Sequence, residues 1–254
     1  MKTVMNVSTW EYSIKTEAER LIHCAHQIIV GFYKTNNFIV LPYNPNILNA
    51  HVVTFPDLPY TKISRFWEQV KKVDVNILPI QTDPKFIDEI VKMLESSYLP
   101  VTKFDNLKDL WQKAEKNILK EIYKVIPNKK GVIKKVTIYP TSFGTSSSFN
   151  WINKRGEIII YIRIDQGIHA IAEAIITALT RKDVYGKLEG VWQESEIITD
   201  YLITETSISL CQDLRNLTKF KANCGVSEIL SYRFLYNFSF CLIPSDSSFY
   251  SFNF

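Results

Sequence analysis

Asp165, His169 and Glu173 recur every fourth residue in "IDQGIHAIAEAII", and Glu196 and Asp200 repeat that interval in "ESEIITDYL". Side chains four apart on a helix project the same way. An imidazole and carboxylates converging from two helices would form a donor set for a divalent cation, zinc among them. Taken singly, each residue has a structural alternative. Asp165 is a fitting helix N-cap after a strand, and His169, Glu173 and Glu196 would also suit solvated helix faces. A different chemistry is offered by Lys129, Lys130, Lys134 and Lys135 in "NKKGVIKK". With Tyr139, Phe143, Phe149 and Trp151 nearby, they could track a nucleic-acid backbone and stack bases, although lysines at a sheet edge also prevent edge pairing.

Other groupings carry less. His23 and His26 stand three apart on an N-terminal helix and read as a solvated face. "YPTSFGTSSSFNW" has one glycine and several hydroxyls but no phosphate-loop pattern, and reads as a polar turn or edge strand. The four histidines lack the flanking pattern of a nucleophile elbow. Cys24, Cys211, Cys224 and Cys241 contain no C-x-x-C pair, which argues against a zinc knuckle and against a thioredoxin-type motif.

The elements that must position these residues follow from periodicity. Ile14, Ala18, Leu21, Ile22, Ala25 and Ile29 predict a helix over about 15–32 behind a Thr16-x-x-Glu19 capping box. Residues 38–42 and 51–55 predict short strands, 63–72 a helix, and the alternation of Val73, Val75 and Ile77 a half-buried strand. Helices are expected over 83–98 and 107–126. Strands then follow at 132–139, 146–151 and 157–164, the last two as a hairpin turned at Gly156, and helices at 167–180 and 191–205. The fold class is α/β: a small mixed sheet with flanking helices. The expected organisation is an N-terminal α/β region over 1–128, a core over 129–210 and an aromatic-rich tail over 211–254. In the tail, Phe234, Tyr236, Phe238 and Phe240 alternate as on a strand.

Strand, helix and a second helix bearing a carboxylate occur in the order in which zinc peptidases of the zincin class build their site, and Glu196-x-x-x-Asp200 resembles the third ligand and supporting aspartate of the gluzincin branch. The resemblance covers about residues 132–205. It implies zinc as the metal, His169, Glu173 and Glu196 as ligands, and Asp165 and Asp200 in support. In H-E-x-x-H the glutamate deprotonates the metal-bound water. Here that position holds Gln166 if "DQGIH" is the match and Ala170 if "HAIAE" is. Neither can act as a base, so hydrolysis by the family mechanism is not expected.

The bounds are those of an ordinary globular chain. With 254 residues, 46% hydrophobic and 22% charged, there is material for a substantial core. The formal charge of +4 permits an acidic partner without demanding nucleic acid. No apolar run is long enough for a membrane span. The N-terminus lacks a signal-peptide h-region, and no cysteine framework is evident, so a cytoplasmic setting is expected. Three functions are compatible with these features: an inactive zincin-like module that binds a protein partner or serves as a scaffold, an active zinc hydrolase with a non-standard site, and a nucleic-acid-associated protein using the basic strand region.

Overall fold

A computed structural model describes residues 8–44, 52–97 and 103–206. In chain order the elements are β1 (Ser8–Trp10), α1 (Ile14–Ile29), α2 (Phe32–Thr35), β2 (Ile39–Pro42), β3 (Val52–Phe55), α3 (Phe66–Lys71), α4 (Pro84–Ser96), α5 (Asp105–Val125), β4 (Lys135–Thr141), β5 (Ser147–Phe149), β6 (Glu157–Arg163), α6 (Ile168–Lys187) and α7 (Trp192–Thr204). The fold class is α/β, as the sequence predicts. Four strands form one sheet in the order β1-β4-β6-β5, with β1, β4 and β6 parallel and β5 antiparallel at the edge. β2 and β3 form a separate parallel pair.

Strand alternation divides the protein into two cores. On β4 and β6, Val136, Ile138, Ile158, Ile160 and Ile162 meet α5, α6 and α7 on one face. The intervening Tyr139 and Tyr161 meet α1, α3 and α4 on the other. β6 is buried on both sides, which is why "EIIIYIRI" reads as a continuous apolar run rather than an alternating one.

Several expectations need correction. The first helix is capped by Ser13, not Thr16: the Ser13 hydroxyl accepts from the Thr16 N–H, and the Thr16 hydroxyl accepts from the Ser13 N–H. Residues 73–77 are not a strand, because the Asp74 carboxylate accepts the Asn76 N–H and closes a turn. β1 escaped the sequence reading. It adds residues from before position 128 to the sheet of the later core, held by the Ser8 N–H on Glu115 Oε1 (2.8 Å) and by Trp111 Nε1 on Ser8 Oγ (3.0 Å). The expected tail strand at 233–240 lies outside the described residues. Among the described residues, no helix is long and apolar enough to cross a membrane.

Candidate functional site

A cleft of about 280 Å³ opens where β5 and the loop before it face α6, the start of α7 and the middle of α1. Glu173, Ala174, Thr177 and Arg181 line it from α6, the spacing that keeps one helical stripe turned the same way. Glu196 enters from α7 and meets Arg181 at 2.5 Å. The Arg181 guanidinium also lies 5.0 Å from the centre of the Phe149 ring, so the cation is held by an anion on one side and a ring on the other. Burial, then Asp200 and Glu173, push the Glu196 carboxyl above the usual carboxylate range, and Arg181 pulls it back. Phe32 and Phe38 stand edge-on to Trp192, and Trp151 edge-on to Tyr185, to form aromatic walls.

Of the residues singled out in the sequence, Glu173 and Glu196 come together in this cleft, with Asp200 close enough to act on Glu196. Asp165 and His169 do not join them. α6 begins at Ile168 and is capped by Gly167, so Asp165 precedes the helix and shares no helical face with His169. Nor is Asp165 the cap: its carboxylate takes a two-point ion pair from Arg163, at 2.6 and 3.1 Å. His169 lies in the first turn of α6, one turn before Glu173, and is not among the residues that line the cleft. Among the described residues, no three His, Cys, Asp or Glu side chains gather as one metal ion would need. In the basic region, Lys129 is engaged by Asp183 at 2.6 Å, while Lys130, Lys134 and Lys135 are exposed.

The wall opposite α6 was not foreseen. His23, expected on a solvated face, is 8% exposed and lines the cleft. It is reached through Arg20, a fully buried cation whose Nε donates to the Phe143 carbonyl (3.3 Å), whose NH1 contacts His23 Nδ1 (2.9 Å) and whose NH2 donates to Thr145 Oγ1 (3.2 Å). Gly144 makes room for it. Its φ is +89°, and a Cβ there would lie 2.5 Å from Arg20 Cζ. The signal for Arg181 was present in the sequence as the i, i+4, i+8 series Glu173, Thr177, Arg181. No local pattern pointed to Arg20, whose partners Phe143 and Thr145 are more than 120 residues away and whose contact with His23 turns that ring into the buried wall.

Compared with protein-family models, curated proteins and solved structures, the chain matches none.

Proposed function

We propose that this chain is a peptide-binding module on a zincin-like layout from which hydrolytic chemistry has been lost. The observation that carries the reading is the identity of the side chains that α6 turns into the cleft. A zinc peptidase needs two ligands four apart on that stripe and a base beside the first. The cleft-facing positions are Glu173, Ala174 and Thr177: alanine has no proton acceptor, and the Thr177 hydroxyl is hydrogen-bonded to the Glu173 carbonyl and to Thr199. The carboxylate that would complete such a site, Glu196, is held by Arg181.

β5 supports an extended polypeptide as the ligand. Its bonds to β6 run through Ser146, whose carbonyl accepts from Arg163, and through Asn150, whose N–H donates to Ile159. Alternation in an antiparallel ladder therefore turns the Ser147 and Phe149 N–H groups and the Phe149 carbonyl outward, at a sheet edge beside the cleft that no other described strand covers, while the Ser147 carbonyl accepts from Thr145 Oγ1 (2.7 Å). An added strand would use them. The test is selection from a randomised peptide-display library, followed by hydrogen exchange and mass spectrometry of the selected peptides. Binding should slow exchange at Ser147 and Phe149 and leave the peptide uncut. Ser147→Pro, which removes an outward N–H without touching the β6 ladder, should abolish binding. Cleavage of the peptide, or binding indifferent to Ser147→Pro, would overturn the proposal.

A further inference from the structure

Where β4 and β6 begin, two basic segments distant in sequence are brought together: Lys130 and Lys134, which lead into β4, and Lys154 and Arg155, in the turn before β6. Gly156 is the seam between them. Its carbonyl accepts the N–H groups of Lys134 (2.8 Å) and Lys135 (3.3 Å), and a Cβ on it would stand 2.5 Å from the Val132 carbonyl oxygen and 3.1 Å from Lys134 Cγ. The turn itself is fixed from within by Asn153, whose Oδ1 accepts the Arg155 and Glu157 N–H groups at 2.8 and 3.0 Å. Lys154 and Arg155 are therefore carried on a set backbone beside the segment that carries Lys130 and Lys134.

All four side chains are exposed, and none forms an ion pair among the described residues. The carboxylates close to them in the fold are otherwise engaged. Asp183 is held by Lys129 and Lys187, and Glu157 takes the Asn153 amide at 2.8 Å. Strand alternation also puts Glu157 and its register partner Lys135 on the sheet face opposite to Lys134. Four like charges at one end of the sheet focus a positive potential there. The chain's formal charge is only +4, so it is this concentration, not the net charge, that points to a polyanion. Trp151 stands beside the turn, three residues before Lys154. It is 40% exposed and is steadied edge-on by Tyr185, with ring centres 6.0 Å apart, which leaves much of the indole open as a stacking surface.

We infer that this surface binds single-stranded nucleic acid, with Lys130, Lys134, Lys154 and Arg155 on the phosphates and a base stacked on Trp151. The inference goes beyond the peptide reading and does not depend on it, since the four cations lie outside the cleft. A duplex fits less well, because its bases are stacked on one another and offer the indole no face. An anionic bilayer would meet the same cations, but Val132 and Trp151 are the exposed large apolar side chains among them, far less than the apolar face that an interfacial helix inserts.

The experiment measures fluorescence anisotropy of a labelled thymidylate dodecamer with the full chain across about 50–200 mM sodium chloride. Four phosphate contacts at about 0.7 each predict a log–log slope of affinity on salt of about −3. Lys134→Gln/Lys154→Gln should flatten the slope by about 1.4, whereas Lys92→Gln, on the exposed side of α4 in the other core, should leave it unchanged. Trp151→Leu should weaken binding about tenfold at an unchanged slope and remove the quenching of tryptophan fluorescence that stacking causes. An abasic strand of the same length should bind the parent protein as weakly as the dodecamer binds Trp151→Leu. Equal binding of abasic and base-bearing strands by the parent, indifference to Trp151→Leu, or tighter binding of a duplex would overturn the assignment. So would a slope that Lys134→Gln/Lys154→Gln does not change, and so would sedimentation with phosphatidylserine vesicles in the absence of any response to the oligonucleotide.

Discussion

Substituting Gly144 by alanine should be among the most damaging single-atom additions in this protein. Two costs combine. The φ of +89° lies where an L residue is disfavoured by about 1–2 kcal/mol. The new Cβ would also stand 2.5 Å from Arg20 Cζ and Nε, so one of the two must move. Gly144 cannot readily do so: its N–H donates to the Thr54 carbonyl (2.7 Å), and its own carbonyl accepts from Thr54 N–H and from Arg163 NH1. Arginine tips usually swing aside, but this one is fully buried and tied at three points. Hydrogen bonds to a charged group contribute roughly 1.5–3 kcal/mol each, so losing one or two brings the expected total to about 2.5–8 kcal/mol, a large part of a typical domain's stability. Urea titration reads this as a lower midpoint at unchanged slope. In an Arg20→Met background the same alanine should cost only the backbone part, about 1–2 kcal/mol, leaving a coupling of about 2 kcal/mol or more between the positions. A loss below about 1 kcal/mol in the parent protein, or strict additivity, would show that the guanidinium is not locked against Gly144.

Three further outcomes follow from the packing. Burial raises the Glu19 carboxyl above its ordinary pKa, against the Tyr161 hydroxyl, Lys15 and the Ile80 backbone, which lower it; the folded state therefore binds that proton more tightly than the unfolded chain. The contribution of this carboxyl to stability is therefore fully present below about pH 4.5 and is lost as pH rises toward the folded pKa, opposite in sign to the contributions of His23, His26 and Asp183, which are lost as pH falls. Glu196 shares the sign of Glu19, so Glu19→Gln, which keeps an acceptor for Tyr161, should remove only part of that loss from the urea midpoints; an unchanged pH profile would refute the assignment. Thr177→Val should destabilise by about 0.5–1.5 kcal/mol, because the 2.8 Å contact between the Thr177 and Thr199 hydroxyls is lost while Thr199 keeps the Ser195 carbonyl, and Thr177→Val/Thr199→Val should cost less than the sum of the single changes; thermal denaturation of the four proteins measures this. Trp111→Ala should cost about 3–5 kcal/mol and expose the β1 amides to exchange, since the fully buried indole both fills the core beneath the sheet and holds Ser8.

The sequence was most legible where periodicity alone decides structure. α1, α4 and α5 each carry one apolar stripe, and β4 and β6 are runs that two buried faces require. Periodicity failed where a local or a distant contact prevailed. Val73, Val75 and Ile77 alternate as a strand would, but the Asp74 side chain closes a turn on Asn76 and leaves Ile77 exposed at 45%. β1 is three residues long and owes its place to Trp111 and Glu115, a hundred positions away. The candidate site was half legible for a related reason. Four-residue spacing is satisfied equally by 165, 169 and 173, by 169, 173 and 177, and by 173, 177 and 181. An amphipathic helix would have broken the tie, since its polar stripe marks the outward face. α6 offers only a narrow polar row, His169, Glu173, Thr177 and Arg181, because Ile168, Ala170, Ile171, Ala172, Ala174, Ile175 and Ile176 are all buried and leave no wider polar face to mark the outward side. What selects the third series is the start of the helix at Ile168, which excludes Asp165, and the position of β5 across the later turns, which brings Glu173, Thr177 and Arg181 rather than His169 to the cleft. Spacing can therefore establish that side chains share a face, while the choice among equally spaced sets belongs to the packing of the neighbouring strand.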